Sequence, residues 1–258
     1  ANEDRLLTPV IREGGKPIAA AWDSVMFTTA AKFKDAVETH GPESTAVIAS
    51  PQSSNEELFL VRKLAKEILR TPFIGFSSRA PGDRTFDDFL IKADKNPNSL
   101  GAQLLGFSEE GFDRTLKAVS EGKIRALLVF GNVLADLPEG EIAGLLSKVP
   151  FVANVGTNDG AVPRAAHAVL PQASFAERGG TFTNYAGRVQ RFQPGFRPRG
   201  KARAGIEIVS ELANRMGAAW GFAGESSVFR SLSASEEPFA GLSYESLGDQ
   251  GQPAGVPK

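Results

Sequence analysis

Short apolar runs alternate with amphipathic helical patterns along most of the chain. Residues 46–50 and 125–130 are mostly apolar, which predicts strands that are buried on both faces. Apolar residues recur at helical spacing in 24–39, 55–70 and 109–120, which predicts helices there. The same criteria predict further strands at 18–21, 73–76, 151–155 and 168–171, and further helices at 139–147 and 204–217.

Strands that alternate with helices and are buried on both faces are typical of α/β proteins with a parallel sheet. We therefore predict an α/β fold with helices on each side of a mostly parallel sheet. Ligands of such folds bind beyond the carboxyl ends of the strands. Polar, turn-forming residues follow three of the predicted strands, at 50–52, 131–132 and 156–159.

The two ends of the chain have weaker patterns. Residues 1–20 are predicted to be largely irregular, and Asp23 is the predicted N-cap of the first helix. Residues 221–258 are rich in Gly, Ser and Pro, and we predict one amphipathic piece at 229–247 followed by a loose tail. The predicted organisation is an initial segment with the first helix (1–45), an α/β nucleotide-lobe-like region (46–217) and a Gly/Ser/Pro-rich C-terminal tail (218–258).

Composition excludes several classes of protein. The chain is 41% hydrophobic and 23% charged with a net charge of -1, which is ordinary for a soluble globular protein. A surface that binds nucleic acid generally would need a basic excess, and none exists. No run approaches the roughly 18 apolar residues of a membrane span, and the N-terminal residues do not have the pattern of a signal peptide.

The chain contains no cysteine, which excludes disulfides, cysteine nucleophiles and cysteine-ligated iron–sulfur clusters. His40 and His167 are the only histidines, so a multi-histidine metal site is not expected. His167 directly precedes a predicted apolar strand, and we interpret it as a packed or surface residue rather than a base. The run that starts at Asp94 looks like a calcium loop, but Ser99 and Leu105 replace its required Gly and Glu.

Several motifs, taken in order, resemble the molybdopterin oxidoreductase superfamily. They include Leu7–Arg12 with Trp22-Asp23, Ser50–Glu57, Gly131-Asn132, and three successive pieces, Ala168–Pro171, Glu177–Asn184 and Gly187–Gln190. Residues 88–98 and 242–244 are similar, more narrowly, to the large iron–sulfur subunit of bacterial NADH:quinone oxidoreductase. The resemblance implies a three-layer, doubly wound sheet, a reduced version of the formate dehydrogenase-like fold.

The chain also departs from the catalytic members of that superfamily. Those members hold a metal with a Cys, selenocysteine, Ser or Asp after the second family helix, where this chain has Ser77 and Ser78. These two serines are candidate metal ligands, and solvated loop residues are the other interpretation. The inserted lobe and the C-terminal β-barrel that cover the pterin are not expected, because the segments that would form them are too short.

The resemblance also implies vestigial cofactor contacts. At the strand ends the candidates for binding a guanine nucleotide are Gly131, Asn132, Thr157, Asn158 and Asp159, although turns need these residue types anyway. Four more candidates resemble nucleotide-lobe contacts, with turn and hairpin formation as the alternative: Gly179, Gly180, Asn184 and Arg188.

One basic run stands out at 188–203, where six Arg or Lys residues are interleaved with Phe192 and Phe196. Phosphate, lipid head groups and an acidic partner are all candidate ligands, because arginine and aromatic side chains are enriched at interfaces. A solvated surface is the alternative interpretation.

These features together predict a non-catalytic structural and assembly domain of a respiratory NADH dehydrogenase (complex I), with no cofactor in this chain. Its expected partners are other subunits of the peripheral arm, including iron–sulfur subunits, on the cytoplasmic side of a membrane-bound complex, and not nucleic acid. Two alternatives remain: a shortened oxidoreductase that binds molybdopterin guanine dinucleotide, and a module that binds a nucleotide or a redox partner.

Overall fold

The computed structural model describes residues 4–77, 87, 92, 94–134 and 137–255. A seven-stranded, mostly parallel sheet forms the centre of this described part. Its strands in chain order are β1 (Val10–Glu13), β2 (Lys16–Ala19), β3 (Thr45–Ala49), β4 (Ile74–Phe76), β5 (Ala126–Phe130), β6 (Phe151–Gly156) and β7 (Ala168–Pro171). Across the sheet the order is β2-β1-β7-β6-β5-β3-β4, and β3 to β7 pair in parallel.

The strand order confirms a doubly wound sheet. From β3 the chain moves outward to β4 and then returns to β5 on the other side of β3, so the winding reverses between β3 and β5. Ligands of doubly wound folds bind in the crevice at this switch point.

The helices are α1 (Trp22–His40), α2 (Asn55–Lys63), α3 (Ser99–Leu104), α4 (Glu109–Ser120), α5 (Glu139–Leu146), α6 (Ala161–Ala165), α7 (Gly205–Arg215), α8 (Glu225–Ser235) and α9 (Tyr244–Leu247).

Two hydrophobic clusters lie on opposite faces of the sheet. Successive side chains of a strand point to opposite faces. In β5, Leu128 and Phe130 therefore belong to the cluster formed with α1, α2 and α7, while Leu127 and Val129 belong to the cluster formed with α4 and α5. All four side chains are fully buried. This double burial explains why β5 is apolar throughout, and it confirms the predicted three-layer arrangement.

A capping box begins α2 directly after β3. The Ser54 side chain accepts a hydrogen bond from the Glu57 N–H, and the Glu57 carboxylate accepts one from the Ser54 N–H. These bonds satisfy backbone donors that would otherwise be unpaired at the start of the helix. A π-helical stretch, Leu64–Leu69, continues α2. The capping box holds the Glu57 side chain at the positive end of the helix, and Glu56 lies in the same first turn.

A second, antiparallel sheet follows the first. It contains β8 (Gly180–Thr183), β9 (Arg188–Phe192) and β10 (Gln252–Pro253), in the order β10-β9-β8. Two short 3-10 helices, Pro42–Ser44 and Glu237–Phe239, complete the regular structure of the described residues. β8 and β9 form the hairpin that was the alternative interpretation of the candidate contacts between Gly179 and Arg188.

Three predictions about the chain ends were wrong. The start of the chain is not irregular, because β1 and β2 form an antiparallel hairpin around Gly14 and Gly15, both with positive φ. Asp23 is not the N-cap of α1: the cap is Ala21, and Asp23 instead pairs with Arg215. The predicted loose tail is packed as far as residue 255, since β10 pairs with β9 and the next residue, Ala254, is buried in the core.

Candidate functional site

A polar crevice lies at the switch point, beyond the carboxyl ends of β3, β5 and β6. It has a volume of about 480 Å³. Five of the nine predicted nucleotide contacts line it together, because parallel strands bring their carboxyl ends to one edge of the sheet. The lining residues are Ser50, Gln52, Ser53, Gly131, Asn132, Thr157, Asn158, Asp159, Gln172, Ala173, Ser174, Phe175 and Arg178.

Gly131 forms the floor of this crevice between β3 and β5. Its φ of +83° lies in the left-handed region, and a Cβ atom there would come within 2.7 Å of the Ser50 side chain. Its N–H donates to the Val155 carbonyl oxygen at 2.7 Å, which ties the turn to β6. A glycine is therefore required at this position for the turn itself, whether or not a ligand binds.

The turn after β6 is partly covered by the N-terminal segment. The N–H of Leu6 donates to the Thr157 carbonyl oxygen at 3.0 Å, and the N–H of Asp159 donates to the Asp4 carbonyl oxygen at 2.6 Å. The Asp159 carboxylate accepts bonds of 2.9 and 3.0 Å from Arg164. The backbone amide of Asp159 and its carboxylate are therefore already engaged within the chain.

Arg178 lies at the inner wall of the crevice and is poorly satisfied. Its side chain is only 7% exposed, and Nη1 lies 2.9 Å from the Glu57 carboxylate. Neither Nε nor Nη1 makes an aligned hydrogen bond within the described part of the chain. Glu57 also accepts a bond of 2.8 Å from Gln172, so its charge is shared. The charge of Arg178 is thus paired with Glu57, and the two nitrogens that lack an aligned hydrogen bond are buried.

The other four predicted nucleotide contacts do not line this crevice. Gly179 lines a separate cavity of about 290 Å³ together with Glu57, Glu225 and Arg178. A Cβ atom on Gly180 would come within 2.8 Å of the Ser54 side chain, so Gly180 permits the close approach of β8 to α2. The Asn184 side chain accepts bonds from the backbone of the β8–β9 turn, and Arg188 donates to the Gly251 carbonyl oxygen.

A buried polar cluster joins this hairpin to α2, α3 and α9. The Thr181 N–H and hydroxyl both donate to the Glu56 carboxylate, at 2.9 and 3.0 Å. The Thr183 N–H donates to the Asn98 side-chain oxygen at 2.7 Å, and Asn98 in turn donates to the Ser53 carbonyl oxygen. The members of the cluster are Asn55, Glu56, Asn98, Thr181, Thr183 and Tyr244, all of them buried.

Glu56 is the one fully buried carboxyl of this cluster. Burial raises its pKa above the ordinary value of 4.5, although hydrogen bonds from Thr181, its own N–H and Tyr244 act in the opposite direction. Burial, with the adjacent Glu56, likewise raises the pKa of the Tyr244 hydroxyl. Both groups are buried, and they are hydrogen-bonded to each other.

Ser77 and His167 are not among the residues that line the crevice. Ser77 follows β4 and does not line the crevice, while Ser78 lies outside the described residues. His167 precedes β7, at the opposite edge of the sheet, where its Nδ1 accepts a bond of 3.1 Å from the Val152 N–H. The described residues contain no group of three or more His, Cys, Asp or Glu side chains arranged to hold a metal.

A family model described as molybdopterin oxidoreductase matches residues 5–87 and 93–215, which is most of the chain. The chain belongs to the molybdopterin oxidoreductase family. The fold agrees with this family: acetylene hydratase from Pelobacter acetylenicus superimposes with a TM-score of 0.58 at 12% identity, covering 99% of this chain and 67% of that protein. At this identity the likeness concerns the fold alone.

Two relatives of this molybdopterin oxidoreductase domain are similar in sequence. YrhE of Bacillus subtilis, named as a formate dehydrogenase, is 31% identical over 171 residues, which is 65% of this chain and 17% of the relative. One of the subunits of the Pseudomonas putida NADH-quinone oxidoreductase is 40% identical over 103 residues, which is 40% of this chain and 11% of the relative. The matched segments are thus a small part of the relatives' length.

The family implies a molybdopterin cofactor, and the residues of the crevice fit only part of such a group. The polar lining of the crevice suits the nucleotide end of a pterin guanine dinucleotide. The chain has no cysteine to bind the metal, and the hydroxyl of Ser77 is not at the crevice. The described residues therefore form a polar site whose lining includes neither a cysteine nor Ser77.

Sequence reasoning missed Gln172 and Arg178 as crevice residues. Gln172 directly follows β7, so the same rule that selected residues 131–132 and 156–159 would have found it. Arg178 follows no strand in the central sheet, and it reaches the crevice only because β7 and the hairpin fold back towards α2. The sequence carried no local signal for that contact.

Proposed function

We propose that this chain is a non-catalytic structural and assembly domain of a respiratory NADH:quinone oxidoreductase, on the cytoplasmic side of the membrane-bound complex. The buried polar cluster is the observation that carries the proposal. The stretch that most resembles the family, around β8, directs its threonine hydroxyls to Asn55 and Glu56 in the interior. These threonine hydroxyls stabilise the fold rather than line an open site.

The absence of thiols supports the same proposal. Electrons in an NADH dehydrogenase pass through iron–sulfur clusters, which are held by cysteine side chains. This chain has none, so any cluster must lie in another domain or another subunit. The remaining role for this domain is to pack against its neighbours. Among the described residues, no helix is both long and apolar enough to span a membrane.

The similarity to the Pseudomonas putida protein is the reason why we name this complex. The match at 40% identity is to one of the subunits of an NADH-quinone oxidoreductase, although it covers 103 residues only. The partners proposed here are the iron–sulfur and other subunits of the peripheral arm, and the acceptor of the complex is a quinone. No cofactor is proposed to be held by this chain.

Purification of the complex from its native membrane tests this proposal. The full-length protein that contains this chain would be tagged, and the membranes solubilised with a mild detergent. We expect the other NADH dehydrogenase subunits and NADH-dependent quinone reduction to co-purify with it. Co-purification with a formate- or nitrate-converting system, without NADH oxidation, would contradict the proposal.

Two variants separate a structural role from a catalytic role. Thr181→Val removes a buried hydroxyl from the polar cluster, and we expect it to lower the yield of assembled complex. Thr157→Val changes the crevice at a half-buried position, and we expect it to leave quinone reduction per assembled complex unchanged. A catalytic crevice predicts the reverse, namely normal assembly and lowered turnover for the Thr157 variant.

A second candidate function is nucleotide binding in the crevice, and Arg178 favours it. The guanidinium is buried, two of its nitrogens lack aligned acceptors, and five predicted contacts share the same crevice. Such a site would be a remnant of the dinucleotide site of the family. The ligand class is a guanine nucleotide or a dinucleotide, with its phosphate at Arg178.

Thermal unfolding with GTP, GDP and dinucleotides tests the second candidate. A ligand present at about 100 times its Kd stabilises the native state by about 2.7 kcal/mol, which would raise the melting temperature by several degrees. We expect Arg178→Met to abolish that rise, while Arg230→Met on the surface of α8 keeps it. No rise at saturating nucleotide would remove this candidate.

A further inference from the structure

One exposed loop combines an aromatic side chain with several cationic side chains. Residues 193–201, here called the basic loop, connect β9 to the segment before α7 and have no regular secondary structure. Every residue of the basic loop is exposed, and the Phe196 side chain is 73% exposed. A large apolar side chain presented in this way commonly marks an interaction surface.

The basic loop is held in place by main-chain hydrogen bonds at both ends. The N–H groups of Gly195 and Phe196 donate to the Ala176 carbonyl oxygen at 2.9 and 3.0 Å. The Lys201 N–H donates to the Leu7 carbonyl oxygen at 2.8 Å, and its carbonyl oxygen accepts a bond of 2.7 Å from the Trp22 indole. A loop fixed in this way loses little conformational entropy on binding, which favours recognition.

The cations of the basic loop are not neutralised within the described part of the chain. Arg197, Arg199 and Lys201 make no ion pair there, and the basic loop contains no Asp or Glu. Arg203, just beyond the loop, behaves differently because it pairs with Glu207 and Glu211. The basic loop therefore presents three unpaired positive charges around an exposed aromatic ring.

A second exposed aromatic ring lies beside the loop. Phe175 is 68% exposed and precedes Ala176, the residue whose carbonyl oxygen accepts the Phe196 N–H. The two aromatic residues therefore belong to the same part of the surface, at the rim of the crevice that Phe175 lines. Exposed aromatic residues with arginine are the composition typical of protein–protein interfaces.

We propose that the basic loop, with Phe175, docks onto an acidic face of a neighbouring protein subunit. Phe196 and Phe175 supply the apolar contact, and Arg197 and Arg199 supply charge complementarity. A lipid surface is the weaker match, since membrane-binding basic clusters carry about four to eight cations, and arginine is favoured over lysine at protein interfaces. This inference rests on the proposed function, because a structural domain of a complex must contact its neighbours.

Site-specific photo-crosslinking in the full-length protein, expressed in its native host, tests the docking surface. The crosslinker p-benzoylphenylalanine would replace Phe196 in one strain and Phe27 in another. Phe27 is a matched control, because it is an aromatic residue of α1 that is 66% exposed. We expect position 196 to form an adduct with a neighbouring subunit, at a peptide rich in Asp and Glu, and position 27 to give no adduct with that peptide.

Charge reversal provides the second arm of the test. We expect Arg197→Glu combined with Arg199→Glu to lower the yield of the adduct about tenfold, the factor expected for a loss of 1.4 kcal/mol of binding free energy. Arg230→Glu is the control, because Arg230 is exposed on α8 and makes no ion pair among the described residues. That variant should leave the adduct yield unchanged.

Three results would overturn the inference: adducts at position 196 with lipid alone, no adduct at that position, or an unchanged yield in the charge-reversed variant. Co-purification with NADH dehydrogenase subunits is measured independently in the same preparations. If the complex forms normally and position 196 gives no adduct, the docking inference fails by itself. If the adduct forms with an acidic protein of another system, the proposed function fails and the docking inference stands.

Discussion

The Tyr244 hydroxyl donates a hydrogen bond of 2.8 Å to the Glu56 carboxylate, although the two residues are 188 positions apart in the chain. Tyr244 begins α9, and Glu56 lies in the first turn of α2. Glu56 is fully buried, and Tyr244 is 6% exposed. This bond makes the C-terminal segment part of the packed molecule, and it places a carboxyl group in the interior with protein donors in place of water.

Tyr244→Phe tests how much that hydrogen bond contributes to the free energy of unfolding. Removing the hydroxyl leaves the buried Glu56 carboxylate with one donor fewer, so we expect the free energy of unfolding to fall by about 1 to 3 kcal/mol. Urea denaturation followed by circular dichroism measures it. Tyr185→Phe is the control, because Tyr185 is 74% exposed and should change stability by less than about 0.5 kcal/mol. Equal effects of the two variants would argue against an interior role for the Tyr244 hydroxyl.

The lowered pKa of Glu177 leads us to expect that the protein loses stability in acid. Burial opposes its ionisation, but bonds from Arg5 and the Ser174 N–H outweigh burial and hold the Glu177 pKa below its ordinary 4.5. Its stabilisation is therefore present above pH 4.5 and is lost as the pH falls through the lowered folded-state pKa. We expect Glu177→Gln to cost about 1.5 to 3 kcal/mol at pH 7, with the difference from the unaltered chain shrinking below pH 4.5.

Denaturation of both forms between pH 7 and pH 3 measures this difference. Glu38→Gln, at an exposed position of α1, is the matched control and should follow the unaltered chain at every pH. A constant difference between the Glu177 variant and the unaltered chain across that range would show that the charge of Glu177 does not contribute.

His167, at the other edge of the sheet, leads us to expect a second dependence of stability on pH. Burial, with the nearby Arg12 and Lys32, lowers its pKa below 6.5, so the folded state favours the neutral imidazole. The unfolded chain binds the proton more readily, so stability should decrease as the pH falls below 6.5. His167→Asn keeps an acceptor for the Val152 N–H and does not titrate. We expect the variant to lose less stability than the unaltered chain between pH 7.5 and pH 5.5.

Two glycines with opposite surroundings give a packing test. A Cβ atom on Gly75, in β4, would collide with the backbone of Phe112 in α4, whereas one on Gly144, in α5, would meet no atom within 4 Å. We expect Gly75→Ala to destabilise the chain by about 1 to 3 kcal/mol or more. Gly144→Ala should stabilise it by about 0.5 to 1 kcal/mol, because alanine favours helix. Thermal melts of the two variants should therefore shift in opposite directions.

The central sheet could be predicted from the sequence because its strands are buried on both faces. Such strands must be apolar throughout, and β5 and β7 therefore show in the sequence at nearly their observed bounds. The helix predicted at 109–120 has those bounds as α4, since Ser108 caps it and Gly122 follows its end. In these elements the local pattern and the packing agree.

The N-terminal hairpin and the buried polar cluster were not predicted, for different reasons. The hairpin had a local signal, because Gly14-Gly15 between short apolar runs is a common two-residue turn. The polar cluster had none, since a Glu in the first turn of a helix is normally exposed. Glu56 is buried only because β8, α3 and α9 come from distant parts of the chain to cover it. Arg178 could not be predicted as a crevice residue for the same reason, because distant parts of the chain bring it there.

Metal analysis of the purified complex tests most directly whether this domain is structural. The full-length protein would be isolated in its assembled form, and molybdenum and tungsten measured against protein by mass spectrometry, with pterin fluorescence measured on the same sample. We predict far less than one molybdenum or tungsten atom per chain and no pterin signal, in a complex that reduces quinone with NADH. One metal atom per chain, released with a pterin dinucleotide, would contradict the account.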